Sequence, residues 1–229
     1  MAKKKKTFAI IGANNLGISI ARELDKKKQL VNLFDINEEK LNLYIDEFEF
    51  VQGIIADCTI KRTLEKNGVD QFDSVIVCIG SNINSSLTIV LNLIDLGITN
   101  FLVQTTDDKH KRMLLALGLK ETQIIIPNEI SGKLIATKSL FDIDVDVQSI
   151  DDEYIFVKLD LLEELNFDKT IQDNNLASNK EFTIVQIRRD GKIILPDEYT
   201  VLKEKDVLYI FSKNTIINDL VLKICGVAQ

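Results

Sequence analysis

The sequence predicts an α/β protein with a Rossmann-like, doubly wound parallel sheet followed by a small α+β domain. Three observations lead to this prediction. Short apolar runs alternate with segments of helical periodicity over the first 140 residues, as in parallel sheets that are covered on both faces. A glycine-containing turn joins the first run to the first helix. After residue 141 the runs become β-type, so we expect domains at residues 1–141 and 142–229.

Six strands are expected in the first domain, at Phe8–Ile11, Leu30–Phe34, Phe50–Ile55, Ser74–Ile79, Asn100–Val103 and Gln123–Ile126. The first helix between them places its apolar residues on one face, at Leu16, Ile20, Ala21 and Leu24. The helix at about Ser85–Leu96 is apolar nearly all round. We therefore expect its sheet to cover one side and another chain to cover the other; the alternative is burial inside one domain.

The second domain follows a helix that is predicted from Pro127 to about Phe141. Its β-type runs lie at Tyr154–Leu159, Phe182–Arg188, Lys192–Leu195 and Val207–Phe211. The segment Arg189-Asp190-Gly191-Lys192 is typical of a hairpin turn, whose central residues need positive φ angles. A closing helix is expected at Thr215–Ile224. This domain is too poor in nucleophiles and acid–base pairs to resemble a substrate domain.

The composition excludes several classes of function. The 229 residues are 45% hydrophobic with a formal net charge of -7, and a chain of this length buries a sizeable core without disulfides. Its three cysteines form no C-x-x-C pair, which favours a reducing compartment, and its one histidine is His110. We therefore expect no metal site, no disulfide framework and no serine-type triad.

The charge and hydropathy patterns argue against nucleic-acid binding and against a membrane span. We interpret the lysines at positions 3–6 as a solvated tail, because the rest of the chain is acidic and offers no broad phosphate-binding surface. No segment approaches 18 consecutive apolar residues. A cytoplasmic protein is expected.

One local motif carries chemistry, the loop Gly12-Ala13-Asn14-Asn15-Leu16-Gly17 after the first strand. In the dinucleotide fingerprint G-x-G-x-x-G, the first glycine makes a tight turn and the third lets helix and strand pack closely. The middle position is Asn14, which tolerates left-handed backbone, but we expect its side chain to crowd the phosphate position. The helix N-terminus still offers N–H groups and partial positive charge to an anion.

Further candidate residues follow the other strands at the same edge of the sheet. Asp35 ends the second strand, where its carboxylate can accept hydrogen bonds from both ribose hydroxyls and repel a 2′-phosphate, so that NAD, ATP or ADP is favoured over NADP. Asp57 either faces an adenine or caps the next helix. Gly80 permits close approach of a ribose or a base edge. The alternative is a Rossmann scaffold that has lost its ligand.

These motifs together carry a family resemblance. The order of IIGANNLG, FDINEEK, IADCT, VIVCIGSN and IPNEISGKLIA, followed by a small β-rich domain, resembles the RCK (regulator of potassium conductance) family, and most closely its cytosolic Ktr-type subunits. The resemblance covers essentially the whole chain, as an RCK-N and an RCK-C domain. It implies an ATP, ADP or NAD(H) site formed by Gly12, Ala13, Asn14, Asn15, Leu16, Gly17, Asp35, Asp57, Cys58, Thr59, Gly80, Asn82 and Gln104.

The chain departs from the family pattern in three places. Asn14 and Asn15 replace the glycine and arginine of the usual G-x-G-R-F-G loop. Gln104 replaces a lysine, which removes another positive charge from the pocket. Asn128 stands where the family has an acidic residue implicated in binding an activating cation, with Glu129 displaced by one position.

The resemblance also implies a second site, for cyclic di-AMP, at the dimer interface of the RCK-C domain. The residues at matching positions are Ile171, Asn175 and Pro196, and Ala177 replaces the usual arginine. A purely structural role for these residues is the alternative.

The predicted function is that of a cytosolic, nucleotide-sensing gating subunit of a Ktr/Trk-type potassium transporter, and not of an enzyme. The resemblance implies paired chains, a homo-oligomeric ring of eight, and a membrane potassium-translocating subunit as partner at the inner face of the membrane. Pairing would use the helices near Ser85–Leu96 and Gly132–Phe141. One alternative is an NAD-dependent dehydrogenase, whose only candidate proton donor, His110, is expected in a solvated helix start. The other is a nucleotide-free scaffold.

Overall fold

A computed structural model describes residues 5–80, 82–140, 146–151 and 153–226. The chain divides into two compact units, Met1–Asn128 and Glu129–Gln229. The predicted domain boundary at 141/142 falls in the segment 141–145, which lies outside the described residues, and it stays a prediction.

The N-terminal unit contains a six-stranded parallel sheet. Its strands are β1 Thr7–Ile11, β2 Leu30–Asp35, β3 Val51–Ile55, β4 Ser74–Val77, β5 Phe101–Gln104 and β6 Ile124–Ile125. The order across the sheet is β3-β2-β1-β4-β5-β6, and every neighbouring pair is parallel. The strand order therefore reverses between β1 and β4, which is the point where open α/β sheets bind ligands. The predicted parallel sheet of six strands is confirmed.

The helices of this unit alternate with the strands. They are α1 Asn15–Lys26, α2 Glu38–Asn42, α3 Lys61–Lys66, α4 Ile83–Asp95 and α5 Asp108–Ala116, and α6 Pro127–Leu140 then runs into the second unit. The predicted apolar face of α1 is confirmed, since Ala21 is fully buried and Leu16, Ile20 and Leu24 pack against the same cluster as Ile10.

Helix α4 has one covered side and one uncovered side in the single chain. Ile89, Val90 and Leu93 are at most 1% exposed and belong to the core. Leu91 and Ile94 are 46% and 41% exposed. The side of α4 that was expected to meet another chain is therefore uncovered in the single chain.

The described part of the C-terminal unit contains a five-stranded antiparallel sheet and, after α6, one further α-helix. The strands are β7 Asp146–Ser149, β8 Tyr154–Asp160, β9 Phe182–Arg189, β10 Lys192–Ile194 and β11 Val207–Lys213, and the helix is α7 Ile217–Cys225. Their order is β10-β9-β11-β8-β7. Alternate residues of the strands form one core with the buried face of α7, which includes Ile217 and Ile224.

One local feature of this unit agrees with the prediction from the sequence, and another was not predicted. The hairpin turn is confirmed, because Asp190 and Gly191 have φ angles of 48° and 77° and Arg189 pairs with Lys192. Strand β7 was not predicted, since its acidic sequence has no apolar run around Val147.

Among the described helices, none combines the length and the apolar character that a bilayer span requires.

Candidate functional site

The predicted site residues of the N-terminal unit lie at the carboxyl edge of the parallel sheet. Strand β1 ends at Ile11, β2 at Asp35, β4 at Val77 and β5 at Gln104. Because all six strands run the same way, the loops that follow them meet at one edge, on both sides of the switch point between β1 and β4. This edge is the candidate crevice.

The two outer glycines of the loop do what the fingerprint requires of them. Gly12 has a φ angle of +111°, and a Cβ atom there would lie 2.5 Å from the carbonyl oxygen of Cys78. A Cβ atom on Gly17 would lie 2.0 Å from the carbonyl oxygen of Gly12. The tight turn and the close approach of α1 to β1 therefore both need glycine, as predicted.

Asn14 takes a different role from the one that the sequence suggested. Its φ and ψ angles of -85° and 177° are extended, so the turn uses positive φ at Gly12 and not left-handed backbone at Asn14. Its side-chain oxygen accepts a hydrogen bond from the Gly17 N–H at 2.9 Å. Asn14 is thus the N-cap of α1.

The amide nitrogen of Asn14 also connects three strand ends. It donates to the carbonyl oxygen of Cys78, after β4, at 2.6 Å and to Oε1 of Gln104, at the end of β5, at 3.1 Å. Gln104 in turn lies against Gly80, where an added Cβ atom would meet its Nε2 atom at 2.8 Å. The space that we expected Gly80 to leave for a ribose or a base is therefore filled by the Gln104 side chain.

Asp35 holds the loop as well as facing the crevice. Its Oδ2 atom accepts a hydrogen bond from the Ala13 N–H at 2.7 Å, and its Oδ1 atom accepts one from the Asn37 N–H at 2.8 Å. Each carboxylate oxygen can accept more than one hydrogen bond. The predicted ribose contact is therefore compatible with these bonds, and Asp35 also fixes the loop that would face the phosphates.

The loop retains backbone donors for an anion. The N–H groups of Gly12, Ala13 and Gly17 are bonded to Phe34 O, Asp35 and Asn14, in that order. Within the described part of the chain, no acceptor pairs with the backbone N–H groups of Asn14, Asn15 and Leu16. These groups lie at the positive end of a 12-residue helix that has no acidic residue in its first turn.

The segments after β3 and β4 are organised by local hydrogen bonds. Oδ1 of Asp57 accepts bonds from the Thr59 N–H at 2.9 Å and the Thr59 hydroxyl at 2.6 Å, while the N-cap of α3 is Ile60, so Asp57 closes a turn and does not cap the helix. Asn82 is the N-cap of α4 and accepts from the Ser85 N–H at 3.0 Å.

Three titratable side chains among the described residues of this unit, those of Cys58, Cys78 and His110, are buried and inert at neutral pH. Burial, with Asp57 and Asp35 nearby, raises the pKa of the Cys58 thiol to about 12, so the thiol stays protonated. His110 is 0% exposed, and neither ring nitrogen has a partner among the described residues. Burial lowers the pKa of His110, and Asp107 opposes that shift. The expectation of a solvated helix start holds for Asp107, Asp108 and Lys109, which are exposed, but not for His110, whose imidazole is a core group that a dissolved substrate cannot reach.

The C-terminal unit brings together two of the three residues predicted for cyclic di-AMP. Ile171 and Pro196 line a pocket of about 350 Å³, together with Ala177, Asp197, Glu198 and four other residues. Asn175 is not part of the lining; it has a φ angle of 51°, and its carbonyl oxygen accepts a hydrogen bond from Lys223 at 3.0 Å. The lining contributes two carboxylates and no basic side chain.

Comparisons with known proteins assign both units to the family that the sequence motifs resemble. Residues 8–127 match the TrkA-N domain family, and residues 167–223 match the TrkA-C domain family. Ktr system potassium uptake protein A of Bacillus subtilis is 35% identical over 209 residues, which are 90% of this chain and 91% of that protein. Ktr system potassium uptake protein C of the same organism is 29% identical over 215 residues, 93% of this chain and 95% of that protein.

A solved structure has the same fold. The GsuK channel bound to NAD superimposes on 100% of this chain with a TM-score of 0.55 at 16% identity, and the chain spans 41% of that protein. The two family matches cover residues 8–127 and 167–223, and the two Bacillus relatives match 90% and 93% of the chain. The chain therefore belongs to the RCK family of TrkA-N/TrkA-C proteins, a family of regulatory proteins and not of enzymes, and it is homologous to the Ktr potassium uptake subunits.

Proposed function

We propose that this protein is a nucleotide-sensing regulatory subunit of a Ktr-type potassium uptake system. The observation that carries the proposal is the homology to Ktr proteins over nine-tenths of the chain, combined with a glycine loop that keeps three backbone donors at the switch point of the sheet. The ligand is an adenine nucleotide: ATP, ADP, NAD or NADH. A protein of the same fold, the GsuK channel, has been solved bound to NAD.

The proposed site uses the crevice residues in distinct ways. The N–H groups of Asn14, Asn15 and Leu16 face a phosphate, and Asp35 accepts the ribose hydroxyls. Gly12 and Gly17 shape the loop. The turn at Asp57, Cys58 and Thr59 and the N-cap Asn82 border the crevice on its two sides.

The proposed mechanism needs no chemistry on the nucleotide. A ligand that prefers one ring shape tenfold contributes only about 1.4 kcal/mol per site, but coupled sites in a ring add their contributions. We infer a ring of eight chains, built from pairs that join through uncovered apolar side chains of α4 and α6. On α4 these are Leu91 and Ile94, and on α6 they are Ile130, Leu134 and Ile135, all at least 41% exposed.

The proposed partner is the membrane subunit that translocates potassium, which would hold this chain at the cytoplasmic face of the membrane. Potassium uptake should be measured in cells that lack their own uptake systems and express a Ktr membrane subunit with or without this chain. We expect the chain to increase uptake and to co-purify with the membrane subunit. Equal uptake in both strains, with no co-purification, would contradict the proposal.

Ligand binding is tested separately, by calorimetric titration of the purified chain with ATP, ADP, NAD and NADH. Saturable binding to one site per chain is expected for at least one of them. Binding of none would favour the alternative of a scaffold that has lost nucleotide binding.

Cyclic di-AMP is the second ligand that we propose to titrate, at Ile171, Asn175 and Pro196. The acidic lining at Asp197 and Glu198 opposes a molecule with two phosphodiester charges, so binding requires cations from outside this pocket. An absence of cyclic di-AMP binding would leave these residues with a structural role only.

A further inference from the structure

The side chains of Asn14 and Gln104 form a single polar unit across the switch point, which we call the Asn14–Gln104 bridge. The side-chain oxygen of Asn14 accepts from the Gly17 N–H, and its side-chain nitrogen donates to Cys78 O and to Gln104 Oε1. We propose that this bridge sets the ligand class of the crevice, so that it takes the pyrophosphate diester of an adenine dinucleotide in preference to a nucleoside triphosphate. The inference rests on the proposed nucleotide binding.

The first support is the number of anion donors that remain. The bridge takes the Gly17 N–H, Asp35 takes the Ala13 N–H and the carbonyl oxygen of Phe34 takes the Gly12 N–H, so three of the six N–H groups of the loop are bonded to protein oxygens. The free donors belong to three consecutive residues, Asn14, Asn15 and Leu16. Three adjacent N–H groups are enough for the oxygens of a pyrophosphate diester, but they leave a third phosphate without a donor.

The second support is the charge of the crevice. The loop from Gly12 to Gly17 contains no lysine or arginine, and the bridge itself is neutral. Asp35 ends β2 and Asp57 follows its parallel neighbour β3, so the two carboxylates share this edge of the sheet, where both raise the pKa of the Cys58 thiol. A terminal phosphate carries a charge of about -1.5 to -2 near neutral pH, whereas each phosphorus of a diester carries a single charge. The positive end of α1, equivalent to about +0.5 charge, suits the diester better.

The third support is that the bridge is held in place on both sides. Gln104 is packed against Gly80, and the amide nitrogen of Asn14 is fixed by Cys78 O at 2.6 Å. Moving the bridge aside for a longer phosphate tail would break the cap of α1 as well as the contact with Gln104. A ligand must therefore fit beside the bridge.

The test is calorimetric titration of the full chain with ATP and with NAD, in the wild type and in two variants of opposite charge. The wild type should bind NAD about tenfold more tightly than ATP. Gln104→Lys places a cation at the end of β5. It should increase the affinity for ATP about tenfold and change the affinity for NAD by less than about threefold. Gln104→Glu should weaken the binding of ATP more than the binding of NAD. The matched control is Gln52→Lys, on the exposed side of the edge strand β3, which should change neither affinity.

Circular dichroism and thermal unfolding establish that each variant is folded. If Gln104→Lys does not fold, Gln104→Glu still compares the affinities for ATP and NAD, with the opposite change of charge. Wild-type binding of ATP as tight as that of NAD, or equal shifts of both ligands in the variants, overturns the inference and leaves the proposed function standing. Binding of neither ligand to any of these proteins overturns both.

Discussion

The side-chain amide of Asn14 donates a hydrogen bond to Oε1 of Gln104 at 3.1 Å, although 90 positions separate the two residues in the chain. In the sequence, each looks like an independent loss of a phosphate contact. In the structure they are one contact, and the same asparagine caps α1. Substitutions at the two positions should therefore be non-additive, as expected for residues that share a hydrogen bond.

Replacing Asp35 should weaken every adenosine nucleotide. Asp35→Ala removes the proposed charge-assisted bonds to the ribose, at a cost of about 1.5–3 kcal/mol in binding free energy. The measurement is the dissociation constant by calorimetry. Asp70→Ala, at an exposed position outside the crevice, is the control and should bind as the wild type does. An unchanged dissociation constant in Asp35→Ala would show that the crevice is empty or is used differently.

Two helical glycines should respond in opposite directions to alanine. Gly17→Ala places a methyl group 2.0 Å from the carbonyl oxygen of Gly12, so α1 must move away from β1, which should cost about 3 kcal/mol of unfolding free energy. Gly132→Ala, in α6, meets nothing within 4 Å and should stabilise the protein by about 0.5–1 kcal/mol. Urea unfolding measures both. A Gly17→Ala variant as stable as the wild type would contradict the close approach of α1 to the Gly12 carbonyl oxygen.

The ion pair between Arg189 and Asp206 should contribute strongly to the stability of the C-terminal unit. Asp206 is 0% exposed and accepts two bonds from the guanidinium at 2.7 Å and one from the Lys203 N–H. Asp206→Ala should cost about 3 kcal/mol of unfolding free energy, the low end for a buried pair, because Arg189 is partly exposed and can be hydrated. Glu23→Gln removes the exposed pair with Lys26 and should leave the unfolding midpoint unchanged.

His110 should make the protein less stable as the pH falls below about 6.5. The folded pKa lies below the unfolded value of 6.5, so between the two values the unfolded chain binds more protons and the unfolding free energy decreases with decreasing pH. The slope cannot exceed about 1.4 kcal/mol per pH unit for one group. Since His110 is the only histidine, His110→Met should abolish the loss measured by urea unfolding between pH 7.5 and 5.5. An equal loss of unfolding free energy in the wild type and in His110→Met over this pH range would contradict the burial of His110.

Charges on the uncovered side of α4 should dissociate the proposed pairs. Leu91→Glu and Ile94→Glu place a carboxylate on the exposed apolar stripe, where a second chain would have to bury it. We expect a lower molar mass by light scattering at the same protein concentration. Leu43→Glu, at a 70% exposed position outside this stripe, should keep the mass of the wild type. Unaltered mass in the α4 variants would place the interface elsewhere.

The sequence by itself determined the features that depend on near neighbours along the chain. Alternation of apolar runs and helical segments is enough to predict six parallel strands, because a strand buried on both faces needs a continuous apolar run. The positive φ angle of Gly12, the approach of Gly17 to the Gly12 carbonyl oxygen and the turn at Asp190 and Gly191 follow from backbone sterics within a few consecutive residues. The family resemblance rested on the same local motifs in order.

Only the tertiary structure decided which distant groups meet. The burial of His110, the filling of the space beside Gly80, and the pairing of β7 with β8 all depend on segments that are remote in sequence or carry no apolar signal of their own. The bridge between Asn14 and Gln104 exists because parallel strands end at one edge and bring β1, β4 and β5 side by side. A hydrogen bond acts over about 3 Å, so its partners are fixed by the packing of the sheet and not by their spacing in the chain.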